Sequence, residues 1–419
     1  GTQRYVLEQE GDAFYVNREQ RIPVPGREPS WSRIGRERLG LTTGSHHMQV
    51  YWVLDEEGNA QYLFPYAYHI VEGRWRPRES LFLRERGANA GTQVWNRSCY
   101  RCHSVGGQPR PDLNTGVAHT RVAELGIACE ACHGPGGAHI EAMRDPLKRR
   151  GARQTGHTEA SIVNPEALGH ERGSQVCGSC HSVKWFEEGP ELWERGFVYQ
   201  PGDDLEATTP VVRPSQVADQ PWVAELVARH PQLFEMQFWP DGMIRVAGRE
   251  YNALVETACF QEGEMSCLSC HSMHDSDPED QLKADRLGDA SCLQCHERFR
   301  EDLEAHTHHK PESLGSRCAN CHMPHTTYGL LKATRSHQVR SPDIVAARAA
   351  GRPNACNLCH LDRTIAWAAE ALSEWYGTPV PEWEEDEQEV AAGPLWGLKG
   401  HAATRALVAA AFGRALAND

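Results

Sequence analysis

Two runs rich in apolar, β-branched and aromatic residues, Met48 to Asp55 (MQVYWVLD) and Gln61 to Ile70 (QYLFPYAYHI), flank the turn residues Glu56-Glu57-Gly58-Asn59. β-Branched and aromatic residues around a Gly/Asn turn predict a β-hairpin there. A second hairpin is predicted around Pro240-Asp241-Gly242, between Met236–Trp239 and Met243–Val246. The Pro- and Asp-rich stretch PGDDLEATTPVVRPSQVADQP carries no periodicity and predicts a loop. Near the C-terminus Ile365, Ala368, Ala369, Leu372, Trp375 and Tyr376 fall at helical spacing and stop at Gly377. The acidic run PEWEEDEQEV that follows predicts a solvated linker, and the Ala-rich stretch His401–Leu416 a further helix.

Long periodic segments are few for a chain of 419 residues, and the cysteines give the reason. Fourteen of the 15 fall into C-x-x-C pairs, and in all seven pairs the next residue is His. The motifs are Cys99, Cys102 and His103; Cys129, Cys132 and His133; Cys177, Cys180 and His181; Cys267, Cys270 and His271; Cys292, Cys295 and His296; Cys318, Cys321 and His322; and Cys356, Cys359 and His360. Zinc ribbons and redox pairs share the Cys spacing but do not require His in the next position. C-x-x-C-H is the attachment site of haem c: two thiols add to the two vinyl groups, and the adjacent His is thereby placed under the iron as proximal ligand. Seven covalently attached haems are therefore expected, numbered here in the order of their motifs.

That cofactor load reshapes every other expectation. With a macrocycle for roughly every 60 residues, haems replace side-chain layers as much of the core. The predicted fold class is mainly α with sparse regular structure and a few β-hairpins, built around haem. The expected division is a partly β segment without motifs over 1–98, a seven-haem core over 99–360 and a helical segment over 361–419.

Covalent haem is attached outside the cytoplasm, so a periplasmic or extracellular protein is expected. The polar start GTQRYVLEQEGD reads as a mature end after signal-peptide removal. No stretch approaches the ~20 apolar residues of a transmembrane helix. The formal charge of −14 argues against nucleic acid as partner. Two propionates on each haem outweigh the single positive charge of the ferric core, and reduction adds a further negative charge, so a redox partner with a basic docking face is expected. Closely packed haems would titrate as a coupled set.

The sixth iron ligand separates an electron carrier from an enzyme, because an open position lets a haem bind and transform a small molecule. Of 22 His, seven are proximal, which leaves 15 for distal duty, whereas only seven Met compete. Mostly bis-His coordination is predicted. His274 and His325 each lie three residues past a proximal His, on the same face of a helical turn. Neither can reach the far side of its own haem, so each would ligate a neighbouring one. His139 fits the same role through a Gly-rich turn, and His306, His309, His46, His47, His119 and His337 complete the candidate set. His157, His170, His230 and His401 are read as ordinary surface or hydrogen-bonding residues. The odd thiol Cys259 is read as a small buried residue, with an intermolecular bridge or a thiolate ligand as alternatives.

Beyond the haem motif, GIACEACHGPGGAH (126–139), MSCLSCHSMH (265–274), HTHHKPESLGSRCANCHMPHTTYGLLKATRSHQVRSP (306–342) and PNACNLCHLDRTIAWA (353–368) resemble a group of multihaem cytochromes. The group is related to the tetrahaem cytochrome c of ammonia oxidisers, pentahaem nitrite reductase and hydroxylamine oxidoreductase. The resemblance covers roughly residues 40–376. It implies distal ligation by residues at the positions of His139, His274 and His325. The nitrite reductases carry a C-x-x-C-K site at their open haem, and this sequence has none. The Ala-rich C-terminus resembles the start of a HEAT-type helical repeat.

The expected function is electron transport along a chain of closely packed haems, an electron-transfer protein rather than an enzyme, with homo-oligomers or a longer haem filament as a compatible assembly. The alternative is a reductase or oxidase of a small nitrogen or sulfur compound at one open or Cys-ligated haem.

Overall fold

The computed structural model describes residues 2–83, 93–155, 161–186 and 188–416. His157 lies outside them. The chain forms two compact units, one from residues 1–79, 89–131 and 187–198, the other from 80–88, 132–186 and 199–419.

The first unit is built on a six-stranded antiparallel meander in sequence order: β1 (Gln3–Glu10), β2 (Ala13–Ile22), β3 (Ser30–Thr43), β4 (Met48–Leu54), β5 (Gln61–His69) and β6 (Arg74–Pro77). The predicted hairpin is β4–β5, paired from Met48↔His69 to Leu54↔Gln61. Its tight entry depends on Gly44, at φ +87°, where a Cβ would meet the Met48 carbonyl oxygen at 2.1 Å. Irregular registers at Arg18/Glu19, Leu39/Leu41 and Val50/Trp52 mark bulges that twist the sheet. One face is covered where Trp52, Trp95 and Tyr100 pack with Leu41, Val50 and Leu63. Asn96 locks that contact by accepting from the Gln61 N–H (2.8 Å) and donating to the Asn59 carbonyl (3.0 Å).

This sheet overturns the expectation of a mainly α chain with sparse regular structure. With 37% of residues in helix and 18% in strand, the chain is mixed. The signal for β1 is weak for a physical reason: almost all its side chains on both faces are exposed, and the inward face of β3 is only half-buried and carries polar and glycine residues such as Gly35 and Glu37 among its apolar ones.

The second unit carries short helices around several small cores. Val183, Val212, Leu226, Phe234, Phe238, Ile244 and Ala253 form one. Ile344, Ile365, Ala368, Ala369, Leu372, Ala392 and Leu395 form another. The predicted C-terminal helix is present as Ile365–Tyr376, capped by the Thr364 hydroxyl accepting from the Trp367 N–H (3.1 Å) and ended by Gly377 at φ +68°. A second helix runs Ala402–Leu416.

Three local expectations change. The Pro240-Asp241-Gly242 turn is flanked by a helix over Pro231–Gln237 and by a single Phe238↔Ile244 bridge, not by a full hairpin. The 201–221 stretch contains a helix at Leu205–Thr208. In the acidic segment, Glu385–Glu389 is helical, and Glu387 is largely buried against Arg348 at 2.7 Å. Among the described residues no helix is long and apolar enough to cross a membrane.

Candidate haem-binding site

Each attachment motif is a single helical turn. The first Cys carbonyl accepts from the N–H of the His four positions on, as in Cys99 and His103 (2.9 Å), Cys177 and His181 (2.8 Å), Cys267 and His271 (2.9 Å), Cys292 and His296 (3.0 Å), and Cys356 and His360 (2.9 Å). The other two motifs lie in the short helices Glu130–His133 and Cys318–His322. Positions i, i+3 and i+4 of one turn share a face, which presents two thiols and one imidazole to the same macrocycle. None of the 15 cysteines is in a disulfide, so all 14 motif thiols are chemically able to form thioethers.

The thiol-bearing face of each turn is the one a macrocycle would cover: Cys129, Cys295 and Cys359 are exposed and Cys102 and Cys132 half-buried. The second cysteine is nonetheless fixed within its turn. The Cys102 N–H donates to the Cys99 carbonyl (3.2 Å), the Cys295 N–H to the Cys292 carbonyl (3.1 Å), and Cys132 is held within the Glu130–His133 helix. Cys102 belongs to the first unit and Cys132 to the second.

Four proximal rings face a second imidazole across a nearly constant gap. The centroids are 6.1 Å apart for His133/His274, 6.2 Å for His271/His337, 6.1 Å for His322/His306 and 5.9 Å for His360/His309, with ring planes within 29° of parallel in every pair. An iron bonded to Nε2 of both rings at about 2 Å, with half a ring on either side, requires a centroid separation of about 6 Å. The residues present therefore fit bis-imidazole haem.

His296 differs from these four. Its ring neighbour is Phe299, with centroids 6.3 Å apart and planes at 41°, rather than a second imidazole. Phe299 lies three residues on, in the turn Glu297–Arg300, and packs in its other direction on His306 at 4.4 Å. Among the described residues no imidazole faces His296, His103 or His181 at the pairing distance, so the expected second histidine is brought up at four motifs and not at these three.

The outward nitrogens are held as ligation demands. His133 Nδ1 donates to the Val163 carbonyl (2.7 Å), His271 Nδ1 to Asp280 (3.1 Å) and His322 Nδ1 to Arg340 (3.1 Å). On the facing side, His309 Nδ1 donates to the Thr307 carbonyl (2.6 Å) and His337 Nδ1 to Arg335 (3.3 Å). A proton fixed at Nδ1 leaves the Nε2 lone pair directed inward. Burial holds His306, His322, His337 and His360 below the usual imidazole range, which favours the neutral, ligating form.

Neighbouring motifs touch through their sulfurs. The Cys177 and Cys267 side chains lie against each other, as do those of Cys292 and Cys318.

The other sequence candidates are placed differently. Among the described residues, His46, His119, His139 and His325 do not face a proximal ring at the pairing distance. His47 packs edge-on against His69 at 4.8 Å. His139 Nδ1 lies 3.4 Å from the Ser161 hydroxyl. Burial, with Arg335 and Arg414 nearby, brings His325 down to about 3. His170 and His230 rest on Phe260 and Trp185, and His401 stacks on Trp239. Cys259 is partly buried, and burial pushes its thiol up, against thiolate character. Sequence reasoning missed Glu250, whose Oε2 accepts from His181 Nδ1 at 2.8 Å. It also missed Asn357, a fully buried residue inside the seventh motif whose amide nitrogen reaches the carbonyls of His360, Arg363 and Thr364 at 3.1–3.3 Å. Neither belongs to a ligand pattern, so no signal marks them.

Comparison with known proteins agrees with this chemistry. The family described as "Doubled CXXCH motif" matches residues 258–301, and the family "Cytochrome c554 and c-prime" matches residues 75–134. No curated protein matches the chain. Among solved structures the chain is similar to the outer cell wall cytochrome OcwA, at 18% identity and a TM-score of 0.47, over 88% of this chain and 86% of that one. Motifs and family matches together define a multihaem c-type cytochrome. Its covalently bound haem c serves electron transfer.

Proposed function

We propose that the protein is a seven-haem electron carrier in which haems 2, 4, 6 and 7 are bis-His, with the axial pairs His133/His274, His271/His337, His322/His306 and His360/His309. The observation that carries this reading is the set of four near-parallel imidazole pairs at about 6 Å, the spacing an iron imposes. When bound, the haems supply reversible one-electron storage; the chain fixes their order. His274 belongs to the turn after motif 4 yet serves haem 2, and His306 and His309 lie in one short segment yet serve haems 6 and 7. Haems tied this way are held close enough to pass electrons directly. The span 99–360, which carries all seven motifs, is then the conducting core. An exported location, a partner with a basic face and assembly into longer haem chains are consistent with this role.

Replacing His274 with Ala tests the assignment. About one-seventh of the haem is expected to become high-spin by EPR and to bind carbon monoxide when reduced, with the haem content by mass unchanged. His309→Ala is expected to open haem 7 in the same way, independently of any folding defect in the first variant. Retention of an all-low-spin, CO-silent spectrum at these sites in both variants would overturn the pairing.

A further inference from the structure

The hydrogen-bond partner of the proximal imidazole of haem 3 differs in kind from those of its neighbours. His133, His271 and His322 each direct Nδ1 at a neutral backbone carbonyl, whereas His181 directs Nδ1 at the Glu250 carboxylate, 2.8 Å away. This contact is built, not incidental. Four consecutive residues at the start of the Glu250–Leu254 helix grip the motif: Arg249 donates to the Cys180 carbonyl (3.4 Å), Glu250 takes the imidazole, the Tyr251 N–H donates to the His181 carbonyl (3.0 Å), and Asn252 Oδ1 accepts from the Val183 N–H (2.6 Å). Asn252 is itself buried and also donates to the Val212 carbonyl at 2.7 Å. The second carboxylate oxygen of Glu250 accepts from the Gly248 N–H at 2.8 Å, so the side chain cannot swing away without losing a further bond.

A carboxylate accepting from a ligating imidazole makes that ligand a stronger electron donor, and its negative charge stabilises ferric over ferrous iron. We propose that Glu250 is a positioning and tuning residue that makes haem 3 the most electron-rich haem of the chain and the last to be reduced, at a more negative potential than the haems whose proximal histidines donate to carbonyls. The step it controls is the one-electron reduction of ferric haem 3, with the electron supplied by a neighbouring ferrous haem. Haem 4 is the structural neighbour, through the Cys177–Cys267 contact. The proposal rests on the reading of His181 as the proximal ligand of haem 3.

The experiment is a spectroelectrochemical titration of the holoprotein and its Glu250→Gln variant, which keeps the side-chain shape and removes the charge. One component, about one-seventh of the absorbance change, is expected to become roughly tenfold easier to reduce, a shift of about 59 mV to positive potential. The EPR signal of that component is expected to move with it. Glu370→Gln removes an exposed charge on the Ile365–Tyr376 helix and is expected to leave the titration unchanged. A Glu250→Gln curve that superimposes on wild type, or one that shifts every component equally, overturns the proposal. His181→Ala separates the two levels. If it abolishes the most negative component while Glu250→Gln does not move it, only the role of Glu250 fails; if it leaves that component intact, the ligand reading fails as well.

Discussion

Asp241, in the turn Pro240-Asp241-Gly242, receives Arg340 Nη2 at 2.5 Å and Arg352 Nε at 2.9 Å on the same carboxylate oxygen. Only 4% of the Arg352 side chain and 16% of the Asp241 side chain are exposed. Removing the carboxylate leaves a buried guanidinium without its counter-charge, the situation that costs about 3–5 kcal/mol when one member of a buried pair is lost. Because Asn still offers an oxygen to one arginine, Asp241→Asn is expected at the low end, about 3 kcal/mol at pH 7. Burial alone would raise the Asp241 carboxyl, but the two arginines outweigh it and hold it below the usual carboxylate range. A depressed folded-state pKa contributes stability that is complete above the unfolded value of about 3.9 and is lost as pH falls through the folded value. The gap between wild type and variant is therefore expected to be widest at neutral pH and to close in the acid range. Denaturant unfolding of the holoprotein, followed by far-UV circular dichroism at several pH values, measures both. A gap under about 1 kcal/mol at pH 7, or one that stays constant into acid, would refute the reasoning. Arg352→Met in the Asn background, which removes the stranded charge, is expected to recover most of the loss.

Two further outcomes follow from the same contacts. Asn357→Ala removes the amide contacts to the carbonyls of His360, Arg363 and Thr364, leaves the buried Asn354 amide without its acceptor and should cost about 2 kcal/mol, together with a broadened spectral signature of haem 7, read by denaturant unfolding and low-temperature EPR. Cys259→Ala should leave haem stoichiometry, by intact mass, and the low-spin EPR envelope unchanged; loss of one low-spin component would instead make this sulfur an iron ligand.

The attachment motifs are legible because their chemistry is local: two thiols and an imidazole within one helical turn need no information from elsewhere in the chain. The β4–β5 hairpin is legible because Met48–Leu54 and Gln61–His69 are rich in β-branched and aromatic residues that the sheet partly buries, on either side of a Gly/Asn turn. Strands such as QRYVLEQE, with charged side chains on faces that stay wet, give no such signal, and the apolar pattern marks one hairpin of this six-stranded sheet. Distal partners are half legible. The spacing of His274 from His271 says that it must serve another haem, but nothing in the sequence points to His133, far upstream. Glu250 and Glu387 are illegible for the same cause. Each is one acidic residue among 57, and only the fold brings it to His181 or to Arg348.

The four imidazole pairs also differ in how much chain they enclose. His306 and His322 lie 16 positions apart, whereas His133 and His274 are separated by 141. Closing the longer loop costs about 2 kcal/mol more in chain entropy than closing the shorter one. The ring pairs therefore define an order of assembly as well as a path for electrons. On the proposed pairing, the pair around haem 6 would close first from local chain, and haem 2, which waits for the 133-to-274 span to fold, is expected to be the last of the four to gain its second imidazole and the site that stays open longest during maturation or on return from acid.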